Sequence, residues 1–80
     1  MDYFVYILKS LKDQRYYIGS TSDVIKRLEY HNAGKNKSTK HRAPFILVYQ
    51  ENLSDKSLAL KRELQIKSYK GGEAFKKLIN

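Results

Sequence analysis

The sequence predicts an α+β fold in which a small three-stranded antiparallel sheet is flanked by helices, in the order β-β-α-β-α-α. Apolar runs of strand length occupy residues 3–8, 15–20 and 45–50, and a short polar segment that suits a hairpin separates the first two. Helix signals follow the second and the third run. The chain has 80 residues, no cysteine and no visible linker, so we expect a single domain over residues 1–80.

The three strands are predicted from composition and from the residues at their ends. The run at residues 3–8 is apolar without alternation, which is typical of a strand covered on both faces. Residues 12–14 are expected to form the hairpin turn. Gly19 lies near the end of the second strand, where the backbone bends or another group approaches closely. Pro44 can open the third strand, because it has no N–H to donate to the ladder.

The first helix is predicted over residues 24–32. Residues 21–23 are Thr, Ser and Asp, and each of them is a good N-cap. Gly34 suits a left-handed residue at the end of this helix. The polar segment over residues 35–43 is expected to be a loop that leads to the third strand.

Two further helices are predicted in the last third of the chain. Either Ser54 or Asp55 caps a longer helix that runs to about residue 69. A pair of glycines at residues 71–72 ends it. A short last helix over residues 73–78 presents an apolar patch toward the rest of the fold.

Positive charge is the main compositional signal about partners. Sixteen Lys and Arg residues against eight Asp and Glu residues give a formal net charge of +8. Such a charge attracts polyanions, and nucleic acid is the leading candidate, although a basic segment is also compatible with an ordinary solvated surface. Much of the charge lies in one segment, residues 26–42. The side chains expected to contact a nucleic-acid backbone are Lys26, Lys35, Lys37, Lys40 and Arg42.

A membrane is the less favoured partner. No stretch approaches the roughly 20 apolar residues of a membrane span. No predicted helix combines a wide apolar face with a basic one. The absence of a secretory signal and of cysteine fits a reducing compartment, so we expect a cytoplasmic protein.

Four side chains near the hairpin suit chemistry on a phosphodiester. Tyr6 and Tyr17 lie on the two hairpin strands, and their spacing allows the two phenols to emerge near one another, unless a one-residue shift in register sends them to opposite faces. Arg27 and His31 are four residues apart and therefore share one face of the first helix. Taken singly, each of these residues is also compatible with a structural role.

Glu63 is a candidate of a different kind, because it lies beside an apolar stripe on the second long helix. A carboxylate in such a position needs a partner, a metal ion or an edge location. Lys67 follows four residues later, at the favourable spacing for an ion pair. Spacing alone leaves an ion pair and a metal ligand about equally favoured.

Two tripeptides resemble the halves of the motif that names the GIY-YIG nuclease superfamily. They are residues 5–7, Val-Tyr-Ile, and residues 17–19, Tyr-Ile-Gly. The second half is intact, whereas Phe4 and Val5 stand where the first half has Gly and Ile. The order of these segments along the chain matches that of the superfamily.

Further positions strengthen the resemblance. Arg27 matches the arginine of the superfamily, and His31 matches a histidine found in several branches. Residues 59–63 resemble the segment that carries the metal-binding glutamate. Residues 38–44 and 47–49 are similar to small, single-domain members related to the nuclease domain of the bacterial excinuclease.

The resemblance implies hydrolysis of a phosphodiester bond in DNA with one divalent metal ion, Mg²⁺ or Mn²⁺. Glu63 would bind the ion, and Arg27 would hold the scissile phosphate. Tyr17 is the expected general base, while Tyr6 would orient the attacking water or share that role. His31 would assist proton transfer or bind phosphate.

Two alternatives remain open. In the first, the chain is a nucleic-acid-binding module that uses the basic surface of residues 26–42 without turnover. In the second, it is a nuclease that depends on a protein partner for targeting. The sequence also leaves open DNA versus RNA, whether a DNA substrate is branched or nicked, and the oligomeric state.

Overall fold

The computed structural model describes residues 2–80 and confirms the expected architecture. Three strands form one antiparallel sheet, namely β1 (Tyr3–Ser10), β2 (Tyr16–Thr21) and β3 (Phe45–Leu53). Three helices flank it, namely α1 (Val24–Asn32), α2 (Lys56–Ser68) and α3 (Glu73–Ile79). Within residues 2–80, none of the helices has the length and apolarity needed to cross a membrane.

The helices α1 and α2 begin where a carboxylate accepts a hydrogen bond from the first turn. Of the three cap candidates before α1, Asp23 is the one used, and its side chain accepts from the backbone N–H of Lys26 at 3.0 Å. Asp55 caps α2 in the same way, with the N–H of Leu58 at 2.9 Å. These bonds satisfy backbone donors that a helix start leaves without partners.

Several boundaries differ from the sequence prediction: β1 ends at Ser10 and not at residue 8, β2 is Tyr16–Thr21 and not 15–20, and α3 ends at Ile79 and not at residue 78. The outer strand β3 continues to Leu53 rather than ending at residue 50, because it pairs with β1 along the whole of that strand. The expectation of an irregular loop over residues 35–43 was wrong in its last part, where Lys40–Arg42 forms a 3₁₀ turn. Local composition gave no sign of this turn, which leads directly into Pro44.

Strand β1 occupies the middle of the sheet, in the order β2-β1-β3, and the buried apolar run predicted for it is confirmed. Its side chains alternate between two cores. Tyr6 and Leu8 pack in the core beneath α1. Val5 and Ile7 pack on the opposite face against α2 and α3. The sheet therefore separates α1 from α2, with the residues of β1 buried on both sides.

The segment between α1 and β3 is tied to the sheet by polar contacts. The Asn32 amide donates to the carbonyl of Phe45 at 3.1 Å and accepts from its N–H at 2.6 Å. The Ser10 hydroxyl donates to the carbonyl of Arg42 at 2.5 Å. These bonds fix the start of β3 against the end of α1, so the intervening segment is held over the α1 face of the sheet.

Candidate active site

The strand register brings Tyr6 and Tyr17 to the same face of the sheet. Tyr6 pairs with Gly19, and Leu8 pairs with Tyr17. Directly paired residues point to one side, and positions two apart on a strand share that side. The two phenol rings accordingly lie side by side, with centroids 6.3 Å apart. The register that would have separated them is not adopted.

Gly19 allows the Tyr6 ring to cross the neighbouring strand. A Cβ atom at this position would lie 2.6 Å from the Tyr6 Oη and 2.8 Å from its Cζ. It would also lie 3.2 Å from Cε2 of Tyr17. Since the first two distances are shorter than any ordinary contact, only a residue without a side chain lets the phenol lie in this place.

His31 lies at the centre of the group and is fully buried. Its Nε2 is 3.1 Å from the Tyr6 Oη, and its Nδ1 is 2.9 Å from Oγ1 of Thr39. Its ring centroid is 4.7 Å from that of Tyr17. Since both ring nitrogens are engaged by protein groups, the position favours an action of His31 on Tyr6 over direct binding of phosphate.

Arg27 brings a positive charge to the same place. Its Cζ lies 4.7 Å from the centroid of the Tyr30 ring, and contact with the Tyr6 hydroxyl raises the pKa of the guanidinium further. No hydrogen bond of ordinary geometry joins Arg27 to Tyr6, however, and the buried Nε has no partner within residues 2–80. A buried cationic donor without an acceptor is suited to an incoming anion.

The Tyr6 hydroxyl stays protonated near neutral pH. Burial raises its pKa to about 12, and the positive charge of Arg27 only partly opposes that effect. The negative charges of Tyr17, when ionised, and of Glu63 raise the pKa as well. Glu63 on α2 and Arg27 on α1 thus act electrostatically on the same hydroxyl.

Glu63 is held in a partly buried ion pair. Its side chain is 15% exposed, and Oε2 lies 2.6 Å from Nζ of Lys67. The ion pair that the spacing allowed is therefore present. It does not decide the metal alternative, since the half-exposed Lys67 can return to solvent while a cation takes its place on the carboxylate.

The donor set around Glu63 fits an ion bound mainly by water and phosphate oxygens. Across residues 2–80 there is no cluster of three or more His, Cys, Asp or Glu side chains that could hold a metal ion. Mg²⁺ commonly binds to proteins through one or two carboxylates and completes its shell with water and substrate phosphates. A lone carboxylate that acts electrostatically on the Tyr6 hydroxyl, beside which Arg27 also lies, is compatible with that requirement.

The basic residues divide into two groups. Four lysines are exposed or half-exposed without an ion-pair partner among residues 2–80: Lys26, Lys35, Lys37 and Lys40. Arg42 differs, because its Nε lies 2.8 Å from Oδ2 of Asp13 and its other donor reaches the carbonyl of Tyr16 at 3.3 Å. The guanidinium of Arg42 is thus engaged within the fold, and it fastens the 3₁₀ turn to the hairpin.

Thr39 is the site residue that the sequence analysis missed. It belongs to a lysine-rich segment, which composition assigns to solvent, yet it is 1% exposed and bonds to His31. The one available signal was its place within residues 38–44, the segment that resembles small family members. Only the fold of the loop over α1 brings Thr39 to the ring of His31.

Burial of His31 gives the protein a predicted acid sensitivity. Burial and the charge of Arg27 lower the pKa of His31 below its usual value near 6.5. The unfolded chain therefore binds more protons between the lowered pKa and about pH 6.5, and stability falls with decreasing pH by up to about 1.4 kcal/mol per pH unit. Urea unfolding at about pH 7.5 and about pH 5.5 measures this slope.

Two variants isolate the contribution of His31. We expect His31→Gln to be less stable at every pH but to lose part of the slope below about pH 6.5. His41 is exposed, so His41→Gln is the matched control and keeps the wild-type slope. Equal slopes in all three proteins would mean that His31 takes up its proton as easily in the folded state as in the unfolded chain.

Comparison with known proteins gives a family match over most of the chain. The GIY-YIG catalytic domain family matches residues 2–76. The UPF0213 protein SH2523 of Staphylococcus haemolyticus (strain JCSC1435) is 50% identical over 68 residues, which cover 84% of this chain and 82% of the relative. A UPF0213 protein of Staphylococcus aureus (strain Mu3 / ATCC 700698) is 52% identical over 68 residues, with the same coverage.

A solved structure is similar over nearly the whole chain. The solution NMR structure of the UPF0213 protein BH0048 from Bacillus halodurans has a TM-score of 0.50 and 36% sequence identity. The match covers 92% of this chain and 90% of that one. A match of this extent takes in the elements that carry the candidate site.

Proposed function

The chain belongs to the GIY-YIG family, whose domains are generally nucleases, and from the geometry of its site we propose that it is a metal-dependent endonuclease that hydrolyses phosphodiester bonds in DNA. The observation that carries the proposal is the unpartnered, buried Nε of Arg27 beside the phenols of Tyr6 and Tyr17, with Glu63 acting electrostatically on the Tyr6 hydroxyl. We further propose that residues 1–80 act as one nuclease domain.

Arg27 is proposed to hold the scissile phosphate. A guanidinium matches the geometry of phosphate oxygens, and its charge offsets the negative charge that develops during the displacement. The ring of Tyr30 supports the guanidinium from one side. The phosphate would supply the acceptor that Nε lacks within residues 2–80.

The two tyrosines are proposed to have different roles. Tyr6, with a pKa raised to about 12, remains a neutral phenol and suits donation of a hydrogen bond to water or to a phosphate oxygen. Tyr17 is only half buried, so it is the phenol that an attacking water reaches more easily. We assign Tyr17 as general base, assisted by the positive field of Arg27.

Glu63 is proposed to bind one divalent ion, Mg²⁺ or Mn²⁺. When bound, such an ion polarises a phosphate oxygen and offsets developing charge. Glu63 would hold it in competition with Lys67, which pairs with the same carboxylate in the resting protein. His31 contributes indirectly, by fixing the hydroxyl of Tyr6.

DNA is the proposed partner, held by the lysines along residues 26–40. Phosphate contacts of this kind fix position without reading sequence. We therefore propose that recognition depends on the shape of the DNA, with a preference for branched or nicked DNA. The alternative function is that of a module that binds DNA without cleaving it, or that cleaves DNA only with a protein partner. The observation that favours this alternative is that Lys67 already occupies the carboxylate of Glu63.

A cleavage assay tests the proposed function. The purified chain is incubated with end-labelled branched, nicked and single-stranded DNA in Mg²⁺, in Mn²⁺ and in a chelator. We expect metal-dependent cleavage that Arg27→Ala lowers by about 10²- to 10³-fold, because the donor to the phosphate is lost. Arg15→Ala is the matched control, since Arg15 is exposed on the hairpin and lies outside the site.

Two outcomes would overturn the assignment. Cleavage that Arg27→Ala and Arg15→Ala leave equally intact would place the catalytic site elsewhere. Binding of DNA without cleavage in either metal would favour the binding module. The salt dependence of binding then reports how many phosphates the lysines neutralise.

A further inference from the structure

We infer that Thr39 is a positioning residue of this site: its hydroxyl fixes the tautomer of His31 and thereby the direction in which Tyr6 donates its proton. The three groups form a chain that begins in the basic segment and ends at the proposed phosphate site. The catalytic consequence rests on the proposed function, whereas the hydrogen-bond chain itself does not.

The three groups lie in line and out of contact with solvent. Oγ1 of Thr39 is 2.9 Å from Nδ1 of His31, and Nε2 of the same ring is 3.1 Å from Oη of Tyr6. Thr39 and Tyr6 are each 1% exposed, and His31 is 0% exposed. Because solvent does not reach them in the resting protein, each of their hydrogens needs an acceptor within the protein or in a ligand that enters the site.

The donor and the acceptor in each of these two hydrogen bonds follow from the hydrogens that the three groups carry and the acceptors available to them. The hydroxyl of Thr39 carries one hydrogen, and the one side-chain partner that the structure gives it within residues 2–80 is Nδ1 of His31. Either direction leaves one hydrogen of the three groups without an acceptor, at Tyr6 or at Thr39. Tyr6 lies beside Arg27, where an entering water or anion can accept that hydrogen, whereas Thr39 has no such neighbour within residues 2–80, so Thr39 donates to Nδ1. A neutral imidazole that accepts at Nδ1 carries its proton on Nε2. His31 therefore donates to the oxygen of Tyr6.

This direction leaves the hydrogen of Tyr6 free for the reaction. The oxygen of Tyr6 accepts from His31, so its own O–H is aimed elsewhere. Its other neighbours are Gly19, which has no side chain, Arg27, whose guanidinium only donates, and Tyr17, with which it forms no hydrogen bond in the structure. A water or phosphate oxygen that enters the site beside Arg27 can accept the hydrogen bond from the Tyr6 hydroxyl.

The reverse direction fits the site less well. If Tyr6 donated to Nε2, the ring would carry its proton on Nδ1 and donate to Thr39. The hydroxyl hydrogen of Thr39 would then be buried without an acceptor within residues 2–80, and with no buried cationic donor beside it to bring in an anion. The proton of Tyr6 would be bound by Nε2 and so would not be available to an anion at Arg27.

The surroundings of His31 keep the ring neutral, which a defined tautomer requires. The titratable groups that face it are Tyr6 on β1, Tyr17 on β2, and Arg27 and Tyr30 on α1. Of these, only Arg27 is charged near neutral pH, and its charge opposes a second proton on the imidazole.

Nitrogen NMR of the resting protein tests the hydrogen-bond chain from Thr39 to Tyr6 without any assay of cleavage. A long-range ¹H–¹⁵N correlation spectrum distinguishes the two neutral tautomers. The chain has two histidines, and His31→Gln identifies the signal of His31 by its loss, while the exposed His41 is an internal reference. We expect the Nε2–H tautomer for His31. The Nδ1–H tautomer would overturn the inference, and this measurement needs no variant at position 39.

Variants of Thr39 test its positioning role. Thr39→Val keeps the shape and removes the hydroxyl, whereas Thr39→Ser keeps the hydroxyl. Because a donor to Nδ1 stabilises the neutral ring, we expect the pKa of His31 to rise in Thr39→Val and to return in Thr39→Ser. A fall in Thr39→Val would show that Thr39 accepts the bond, which contradicts the inference.

The kinetic consequence separates this inference from the proposed function. We expect Thr39→Val to lower kcat by about 5- to 10-fold with little change in the KM for DNA, and Thr39→Ser to restore it. Full activity of Thr39→Val would refute the positioning role. Absence of cleavage by the wild-type chain would refute the proposed function, while the tautomer of His31 would still be read from the spectrum.

Discussion

Replacing Glu63 with glutamine is expected to lower metal-dependent DNA cleavage by about 10³-fold or more, equivalent to about 4 kcal/mol of transition-state stabilisation. The amide keeps the shape of the side chain but removes the charge that would hold a divalent cation. Residues 2–80 contain no group of three or more His, Cys, Asp or Glu side chains that could hold the ion in its place. Cleavage rates under single-turnover conditions with Mg²⁺ and with Mn²⁺ measure the effect.

The fold should tolerate this change. The lost interaction with Lys67 is a helix pair at i and i+4 with a half-exposed lysine, a type of contact that contributes about 0.3–0.5 kcal/mol. Glu73→Gln is the matched control, since Glu73 is an exposed glutamate at the start of α3. Cleavage by Glu63→Gln at the rate of Glu73→Gln would exclude Glu63 as the ligand.

Direct metal binding gives a second measurement on the same variants. Mn²⁺ titration followed by electron paramagnetic resonance should show binding that Glu63→Gln abolishes and Glu73→Gln preserves. Lys67→Met removes the competing cation without touching the carboxylate, and we expect it to bind Mn²⁺ more tightly than wild type by about twofold or more, from the size of such ion pairs.

The fold was predictable because its signals are local. The unbroken apolar run of β1 indicated a strand covered on both faces, and that strand is the middle of the sheet. Asp23 and Asp55 marked the helix starts within a residue or two. The 3₁₀ turn at Lys40–Arg42 was missed because it depends on distant partners, including the ion pair between Arg42 and Asp13.

The candidate site was predictable only in part. Spacing put Arg27 and His31 on one helical face, but the approach of the two tyrosines depended on a register that spacing alone does not fix. The role of Thr39 lay outside prediction. Its burial follows from how a lysine-rich segment closes over α1, and no local pattern distinguishes that threonine from an exposed one.

Gly19→Ala is expected to destabilise the fold by about 1–3 kcal/mol and to displace the hydroxyl of Tyr6. The added Cβ would lie 2.6 Å from Oη and 2.8 Å from Cζ of Tyr6, so the ring must move. The central strand beneath it is buried on both faces and cannot shift to make room. The bond to His31 is then stretched or lost, which adds about 1 kcal/mol.

The sign of the change in stability distinguishes a steric clash with Tyr6 from the general preference of strands for alanine over glycine. Alanine is better than glycine in a strand interior by roughly 0.5–1 kcal/mol, so without the phenol the change would stabilise β2. We therefore expect Gly19→Ala to be destabilising in the wild-type background and neutral or stabilising with Tyr6→Leu, whose shorter side chain leaves the space free. Urea unfolding of the four proteins measures the coupling. Equal effects of Gly19→Ala in both backgrounds would mean that the glycine serves the backbone of β2, and that the position of the Tyr6 hydroxyl is set by His31 alone.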